Sequence, residues 1–329
     1  MTGLGTKENL LALLEKNKGV YFSGAEIAEA LSVSRTAVWK AVNTLRDRGY
    51  AIDALPNKGY CLSPDTDILS AEGIGKYLEP LCGSPSLQVL PTADSTNASL
   101  RREADGGAPE GTVILACCQT RGRGRLGRRF FSPADTGVYL SLLLRPKDCV
   151  PSQALGLTTM AAVAACDAIE EISGRQAGIK WVNDIFQDGK KVCGILTEAS
   201  VSVESGSLEY LVLGAGFNLY PPAEGFPEEL TAIAGAILPA PRNDGKNLLA
   251  AAFLNRLLAL YRSGDSGGYV RRYREKSILT GKPVFIETAG GREEALALDI
   301  DDQCGLRVQF SDGSTKTLTS GEVTIRQIQ

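Results

Sequence analysis

Five arginines and three glycines fall within nine consecutive positions, residues 121 to 129, of a chain whose net charge is −3. Each guanidinium group presents forked donors that match phosphate or carboxylate oxygens. Glycine lets the backbone fold closely around an anion, because it carries no side chain. The segment lacks the GxxxxGK[ST] spacing of a Walker loop, so we predict another type of loop that closes on a phosphorylated ligand. These residues are Arg121, Arg123, Arg125, Arg128 and Arg129, with Gly122, Gly124 and Gly127 among them.

Two alternatives give this segment no defined site. It could be an RNA-binding tract rich in arginine and glycine, or a basic loop that is merely solvated. Both are weakened because the segment occurs once and lies between two predicted strands, TVILACCQT at 112–120 and GVYLSLLLR at 137–145. The phosphate-binding interpretation is favoured, and the alternatives stay open.

The chain contains no histidine. Ser-His-Asp and Cys-His nucleophiles, HExxH metal sites and imidazole acid–base chemistry are therefore excluded. Any catalysis must use lysine, arginine, carboxylates and backbone dipoles. The eight cysteines form no CxxC pair, which favours reduced core thiols over a disulfide framework or a zinc site.

The elements around the arginine segment predict a mixed or antiparallel sheet with helices. DSTNASLRREADG at 94–106 predicts a helix whose first turn carries Ser95, Thr96 and Asn97. Ordinary capping explains one of these three polar residues, whereas the polar head of a ligand would use all of them.

Three further strands are predicted as an antiparallel meander, at 179–186, 191–203 and 208–219. A Rossmann sheet would be parallel, and GAGFNL has Leu219 where a dinucleotide fingerprint needs its third glycine. A dinucleotide-binding domain is therefore excluded.

The first sixty residues predict a winged helix, with a helix-turn-helix followed by a short hairpin. The second helix of this motif enters the major groove of DNA. A winged helix that binds protein is the alternative, and Trp39 is as consistent with core packing as with a contact. The predicted DNA-binding residues are Ser34, Arg35, Thr36, Trp39 and Lys40, with Lys58 in the wing.

The last fifty residues predict five short strands, the size of a small barrel of the SH3 type. The fold class is therefore α+β, with several domains. We predict a winged helix-turn-helix domain at 1–64, a central catalytic domain at 65–277 and a C-terminal barrel at 278–329.

Composition agrees with a multidomain globular protein, since 329 residues exceed one compact core and the charged fraction is 22%. No signal pattern begins the chain, and no stretch reaches the roughly 18 apolar residues of a membrane span. We therefore expect a cytoplasmic protein with no membrane partner.

GRGRLGR at 122–128, KWVND at 180–184 and GILTE at 194–198, behind a winged helix, resemble the bifunctional biotin protein ligases and biotin operon repressors. The resemblance covers all three domains in the order of the family, and it implies a central sheet like that of class II synthetases. It implies biotin and ATP as substrates with Mg²⁺ as cofactor, and no protein cage for the metal. Val182 departs from the family, in which proline is frequent.

The resemblance also implies roles for individual residues. It makes Lys180 and Arg125 catalytic, with Lys180 near the reacting carboxyl group. The implied biotin contacts are Ser95, Thr96, Asn97, Gln119, Arg123, Gly124, Arg125 and Lys180. The implied ATP and adenylate contacts are Gly122, Arg123, Arg125, Arg128, Asn183 and Asn218.

By this resemblance the chain forms biotinoyl-AMP and transfers biotin to a lysine of the biotin carboxyl carrier protein of acetyl-CoA carboxylase. It also represses biotin genes at operator DNA, as a homodimer that biotinoyl-AMP favours. Two other functions stay open: a ligase of the lipoate type, and a ligand-sensing transcription factor without ligase activity.

Overall fold

The computed structural model describes residues 5–146, 154–201, 208–264, 266–288 and 291–325, so Cys149 lies outside the described residues. Contacts divide the chain into two compact units. Among the described helices, none is long and apolar enough to cross a membrane. The first unit comprises Met1–Leu78 and Pro241–Ala251, and the second comprises Glu79–Ala240 and Ala252–Gln329.

The first unit contains the predicted helix-turn-helix and hairpin. Ser23 begins the second helix with a capping box to Glu26, and Ser34 caps the third, as expected for serine at a helix N-terminus. Leucine and isoleucine side chains from all three helices form one buried core. The elements are α1 Thr6–Lys16, α2 Gly24–Ala30, α3 Arg35–Asp47, β1 Ile52–Leu55, β2 Gly59–Leu62 and α4 Ala71–Gly75.

In the described part of the second unit, seven strands form a mixed sheet in the order β3-β4-β5-β9-β8-β7-β6. Only the β3–β4 pair is parallel, so the prediction of a mixed or antiparallel sheet is confirmed. Every residue of β5 is buried, as expected of a strand at the centre of a sheet. The strands are β3 Ser86–Leu90, β4 Thr112–Ala116, β5 Gly137–Leu144, β6 Gly178–Lys180, β7 Asp184–Gln187, β8 Lys190–Val201 and β9 Leu208–Asn218.

The segment 179–186, predicted as one strand, is two. Lys180 of β6 pairs with Asp184 of β7, so the chain reverses over the three residues between them. The peptide bond between Trp181 and Val182 in this turn is cis. Pattern alone missed the reversal because the segment contains neither glycine nor proline, and its two other turn-forming residues, Asn183 and Asp184, lie within the predicted strand.

Five further α-helices occur among the described residues, and the four-residue helix at 228–231 was not predicted. The helix predicted from 94 begins at Thr96, with Ser95 as its N-cap. These helices are α5 Thr96–Asp105, α6 Ala154–Ser173, α7 Glu228–Thr231, α8 Gly245–Ser263 and α9 Ser266–Glu275.

The C-terminal part of the described chain contains the five predicted strands, in the order β13-β12-β11-β10-β14. All four neighbouring pairs are antiparallel. The strands are β10 Pro283–Thr288, β11 Gly291–Ile300, β12 Leu306–Phe310, β13 Thr315–Leu318 and β14 Glu322–Ile325.

Candidate functional site

A cavity, named here the α5 cavity, lies where the N-terminus of α5 meets the middle of β8 and β9. It brings together Ser95, Thr96, Asn97 and Gln119, the four residues predicted to bind the polar part of biotin. The remaining lining residues are Arg123, Phe130, Leu140, Gly194, Leu196, Gly214, Ala215 and Gly216.

Hydrogen bonds fix three of the four polar residues. The Thr96 backbone N–H donates to the Gln119 side-chain oxygen at 2.9 Å, and the Ser141 hydroxyl donates to Asn97 Oδ1 at 2.6 Å. Asn97 Nδ2 in turn donates to a Glu198 carboxylate oxygen at 2.8 Å. Their side chains are therefore held in place before any ligand binds.

Ser95 differs from the other helix-capping serines. Its residue is only 3% exposed, yet its side chain makes no capping hydrogen bond within the described residues. Ser23 and Ser34 both use their hydroxyl groups as caps. The Ser95 hydroxyl at the cavity wall is therefore not used as a helix cap.

Two glycines on β9 make room for this site. A Cβ on Gly214 would lie 2.1 Å from Asn97 Oδ1, and a Cβ on Gly216 would lie 2.5 Å from Phe130 Cε1. Neither glycine was predicted as a site residue from the sequence, nor was Phe130. Two glycines two positions apart lie on the same face of a strand, and glycine within a strand marks close approach of another group, so the signal was present in GAGFN.

Gly214→Ala is expected to lower the free energy of unfolding by about 1 to 3 kcal/mol, because the added methyl group must displace Asn97 from a packed site. Urea unfolding monitored by circular dichroism measures the change. Gly75→Ala is the control, since a Cβ there meets nothing within 4 Å. A loss no larger for Gly214→Ala than for Gly75→Ala would contradict the assigned packing.

The arginine segment is the loop between β4 and β5, as predicted, and its two arms pair with each other. The Phe130 N–H donates to the Gly122 carbonyl at 3.0 Å, and the Gly124 N–H donates to the Arg128 carbonyl at 2.8 Å. A Cβ on Gly122 would lie 2.3 Å from the Phe130 carbonyl oxygen, so this glycine permits the close pairing of the arms. The tip turns at Leu126 and Gly127, which have φ values of 55° and 75°.

A second cavity, named here the arginine cavity, lies between this loop and the β6–β7 turn. It shares Arg123, Phe130, Gly194 and Leu196 with the α5 cavity, so the two cavities are adjacent. Its other lining residues are Gly124, Arg125, Leu126, Arg128, Arg129, Lys180, Trp181, Asn183, Asp184, Lys191, Ile195, Gly321 and Val323.

Positive charge dominates the arginine cavity. Among the described residues that line it, six side chains are cationic and one, Asp184, is a carboxylate. Asp184 pairs with Lys191 at 2.6 Å. Arg125, Lys180 and Lys191 are half-buried, which strengthens their attraction for an anion, whereas Arg123, Arg128 and Arg129 are exposed. Lys191 was not predicted as a site residue, because nothing in the KVCGILTE pattern shows that its side chain faces Asp184.

Asn183 connects the loop to the sheet. Its side-chain oxygen accepts a hydrogen bond from Arg125 Nη1 at 3.2 Å, while its Nδ2 donates to the Ile195 carbonyl at 2.7 Å. Among the predicted ligand contacts that the structure describes, Gly122 and Asn218 line neither cavity. Asn218 is the last residue of β9, where its carbonyl accepts from the Ile237 N–H.

The predicted DNA-binding residues lie on the exposed surface of the first unit. Arg35, Thr36 and Trp39 of α3 line a groove whose other wall includes Leu55 and Pro56 of the wing. Trp39 is 56% exposed, which excludes it from the core.

The other three predicted contacts, Ser34, Lys40 and Lys58, do not line this groove. The Ser34 hydroxyl accepts from the Ala37 N–H at 3.1 Å and is used as a cap. Lys40 and Lys58 are exposed. The structure therefore leaves five side chains available for DNA.

Three family models match the chain. They are described as an HTH domain, matching residues 6–61, the biotin/lipoate A/B protein ligase family, matching 89–218, and the biotin protein ligase C terminal domain, matching 280–326.

Relatives match along nearly the whole chain. The bifunctional ligase/repressor BirA of Bacillus subtilis is 33% identical over 317 residues, which cover 94% of this chain and 96% of that protein. BirA of Escherichia coli is 31% identical over 325 residues, covering 97% of each. The structure of biotin protein ligase from Aquifex aeolicus in complex with biotin and ATP aligns with a TM-score of 0.61 and 26% identity, covering 74% of this chain and 99% of that one. The chain therefore belongs to the biotin protein ligase family, in its bifunctional ligase/repressor form.

Proposed function

We propose that the chain is an ATP-dependent biotin protein ligase that makes biotinoyl-5'-AMP and then biotinylates the carrier protein of acetyl-CoA carboxylase. One observation carries this proposal. The α5 cavity, lined by fixed polar groups, adjoins the arginine cavity, lined by six cations, and the two share four lining residues. A ligand with a polar ring at one end and a carboxylate at the other would place its ring against the polar residues and its carboxylate against the cations.

Biotin's ureido ring is assigned to the polar residues of the α5 cavity, Ser95, Thr96, Asn97 and Gln119. The uncommitted Ser95 hydroxyl and the preset Asn97 amide supply a donor and an acceptor at one end of the cavity. The carboxylate then lies towards Arg123, which lines both cavities. Gly124, Arg125 and Lys180 complete the proposed biotin contacts.

In the first step a carboxylate oxygen of biotin attacks the α-phosphorus of ATP, and the bond to pyrophosphate breaks. Negative charge collects on phosphate oxygens in the transition state, and fixed cations such as Lys180 and Arg125 stabilise it. No proton is transferred, so a site without histidine suffices. Gly122, Arg123, Arg128 and Asn183 are the proposed phosphate and adenylate contacts, and Asn218 is the proposed adenine contact.

In the second step the amine of the carrier lysine attacks the carbonyl carbon of the mixed anhydride. The new amide bond forms as AMP leaves, and the amine nitrogen releases a proton. The same cations stabilise the departing phosphate, so one set of groups serves both steps.

Mg²⁺ is proposed as the cofactor that enters with ATP and neutralises part of the phosphate charge. Within the described residues no group of three or more His, Cys, Asp and Glu is placed to hold a metal ion. Asp184, the carboxylate of the arginine cavity, is paired with Lys191. Phosphate oxygens and water are therefore the proposed ligands.

Mass spectrometry of the protein incubated with ATP and either biotin or lipoate tests the ligase function. We expect biotinoyl-AMP and no lipoyl-AMP. Formation of lipoyl-AMP instead would assign the lipoate activity, and binding of biotin without any adenylate would leave a ligand-sensing transcription factor. The similar Aquifex aeolicus structure is of a biotin protein ligase in complex with biotin and ATP, which favours the first outcome.

Arg125→Ala is expected to weaken retention of biotinoyl-AMP by about 10-fold, the effect of losing one hydrogen bond to a charged group. Retention of biotin should change much less, because the ureido contacts lie in the other cavity. Dissociation rates of the two labelled ligands measure the difference. Arg121→Ala is the control, as the described Arg121 lines neither cavity. Equal losses for both ligands would show that Arg125 does not contact the phosphate.

The repressor function is assigned to the first unit. Arg35, Thr36, Trp39 and Lys40 are proposed to face bases and phosphates in the major groove, with Lys58 beside the adjoining backbone. Ser34 is proposed to contribute through the amide groups of the α3 N-terminus, since its hydroxyl is a cap. Operator binding requires two such helices, so a homodimer favoured by biotinoyl-AMP is part of the proposal.

The finer structural assignments are proposals as well. They are the domain limits 1–64, 65–277 and 278–329, the class II synthetase relationship of the mixed sheet, and the SH3-like form of the C-terminal strands. The antiparallel order of β10 to β14 supports the last of these. A cytoplasmic location, where carrier protein and operator are both present, completes the proposal.

A further inference from the structure

The short strand that carries Lys180 has little support from the sheet itself. β6 is three residues long and lies at the end of the strand order, so β7 is its sole neighbour among the described strands. Edge strands this short are held weakly by their own ladder. Whatever fixes Lys180 must therefore come from elsewhere in the second unit.

The segment that follows α9 supports the residue before Lys180. The Ile179 N–H donates to the Lys276 carbonyl at 2.7 Å, and the Ile278 N–H donates to the Ile179 carbonyl at 2.9 Å. Ile179 is completely buried. These two bonds fix the backbone on the N-terminal side of the lysine.

The residue after Lys180 is held by the C-terminal strands. The Trp181 indole N–H donates to the Cys304 carbonyl at 2.9 Å, and Trp181 is 4% exposed. Cys304 lies in a tight turn between β11 and β12, in which Asp301 Oδ1 accepts from the backbone N–H groups of Gln303 and Gly305. The Cys304 carbonyl, which accepts the hydrogen bond from the indole N–H, is thus fixed by the turn in which it lies.

Tyr273 of α9 holds the next residue. Its hydroxyl donates to the Val182 carbonyl at 3.0 Å, and the side chain is completely buried. Burial raises the pKa of Tyr273 well above its usual range, so the hydroxyl stays protonated and remains a donor. The turn from Trp181 to Asn183 is then anchored on two successive residues from outside the sheet.

We propose that Tyr273 and Trp181 are positioning residues that hold Lys180 and Asn183 in the geometry needed for adenylate formation. Neither is assigned a contact with the reacting atoms by this inference; each acts through the turn. Because Asn183 accepts from Arg125, the same two anchors also set where the arginine loop meets the sheet. This inference rests on the proposed ligase function.

Tyr273→Phe removes the hydroxyl and keeps the ring. We expect kcat for biotinoyl-AMP formation to fall roughly 10- to 100-fold, since small displacements of a catalytic group have effects of this size. KM for biotin should rise by a smaller factor than kcat falls, because the polar contacts of the α5 cavity do not involve this turn and Lys180 is one of several proposed biotin contacts. Pyrophosphate release at varied biotin and ATP concentrations separates kcat from KM.

Tyr210→Phe is the matched control. Tyr210 is also buried, and its hydroxyl donates to Asp105, away from both cavities. Both variants lose one tyrosine hydroxyl hydrogen bond, buried for Tyr273 and partly buried for Tyr210, so both should melt at somewhat lower temperatures. Only Tyr273→Phe should lower kcat for biotinoyl-AMP formation.

Trp181→Phe removes the indole donor from the same turn and tests the proposal independently, also if Tyr273→Phe proves too unstable to assay. The double variant should lose less than the product of the two single losses, since residues that hold one turn are coupled. An unchanged kcat in either single variant, with wild-type protein active, would overturn the positioning role. Inactive wild-type protein would instead refute the ligase function itself.

Discussion

Lys180→Ala is expected to lower the rate of biotinoyl-AMP formation by roughly 10²- to 10³-fold, the usual effect of losing one preorganised charge donor. Lys180 lines the arginine cavity at the end of β6, and its backbone is fixed on both sides. We therefore expect its ammonium group to lie in a fixed position, where it stabilises the negative charge that develops at the carboxyl and α-phosphate groups. Pyrophosphate release under saturating biotin and ATP measures the rate.

Lys190→Ala is the control for this substitution. Lys190 begins β8, and its ammonium group donates to the Thr231 and Ala232 carbonyls, away from both cavities. It should retain wild-type turnover, and circular dichroism should show both variants folded. Pyrophosphate release by Lys180→Ala close to that of wild type would remove this lysine from the catalytic groups.

Operator affinity is expected to rise roughly 5- to 150-fold when biotin and ATP are both present, which corresponds to a coupling free energy of about 1 to 3 kcal/mol. The chain has a net charge of −3 and one recognition helix, so a monomer should bind DNA weakly. If biotinoyl-AMP binds the dimer more tightly than the monomer, it raises the dimer population by the same factor. Sedimentation and DNA binding with and without both substrates measure the coupling.

Two variants make this test specific. Lys180→Ala with biotin and ATP should show no gain in DNA binding, whereas adding preformed biotinoyl-AMP should restore the gain. Arg35→Ala should still dimerise but lose affinity for DNA, because Arg35 is exposed on α3 in the groove. If neither the oligomeric state nor the operator affinity changes with biotinoyl-AMP, only the ligase function is supported. DNA binding by the winged helix would then be independent of the adenylate.

Local pattern predicted the parts of the fold that depend on neighbouring residues. The helix-turn-helix and its hairpin lie at the predicted place, the helix predicted from 94 begins at Thr96, and the arginine loop lies between β4 and β5 as expected. Capping and periodicity are short-range effects, so a single sequence contains them.

Contacts between distant segments could not be predicted in the same way. The Arg125–Asn183 hydrogen bond joins residues 58 positions apart, and the Tyr273–Val182 bond joins residues 91 apart. Resemblance to a family placed Asn183 near the adenylate, but neither residue type nor spacing pointed to Tyr273. In the sequence, a buried residue that positions another residue looks like any core residue, because its role is visible only in its hydrogen bonds.

The two tryptophans of the chain fall one in each unit, with Trp39 exposed on the recognition helix and Trp181 buried beside Lys180. Indole fluorescence depends on the polarity around the ring, so the two residues emit differently within one unlabelled protein. Trp39→Phe leaves an optical reporter of the turn that the ligase needs, and Trp181→Phe leaves one of the helix that meets DNA. Intrinsic tryptophan fluorescence can thus report on adenylate formation and on DNA binding separately, without an attached dye.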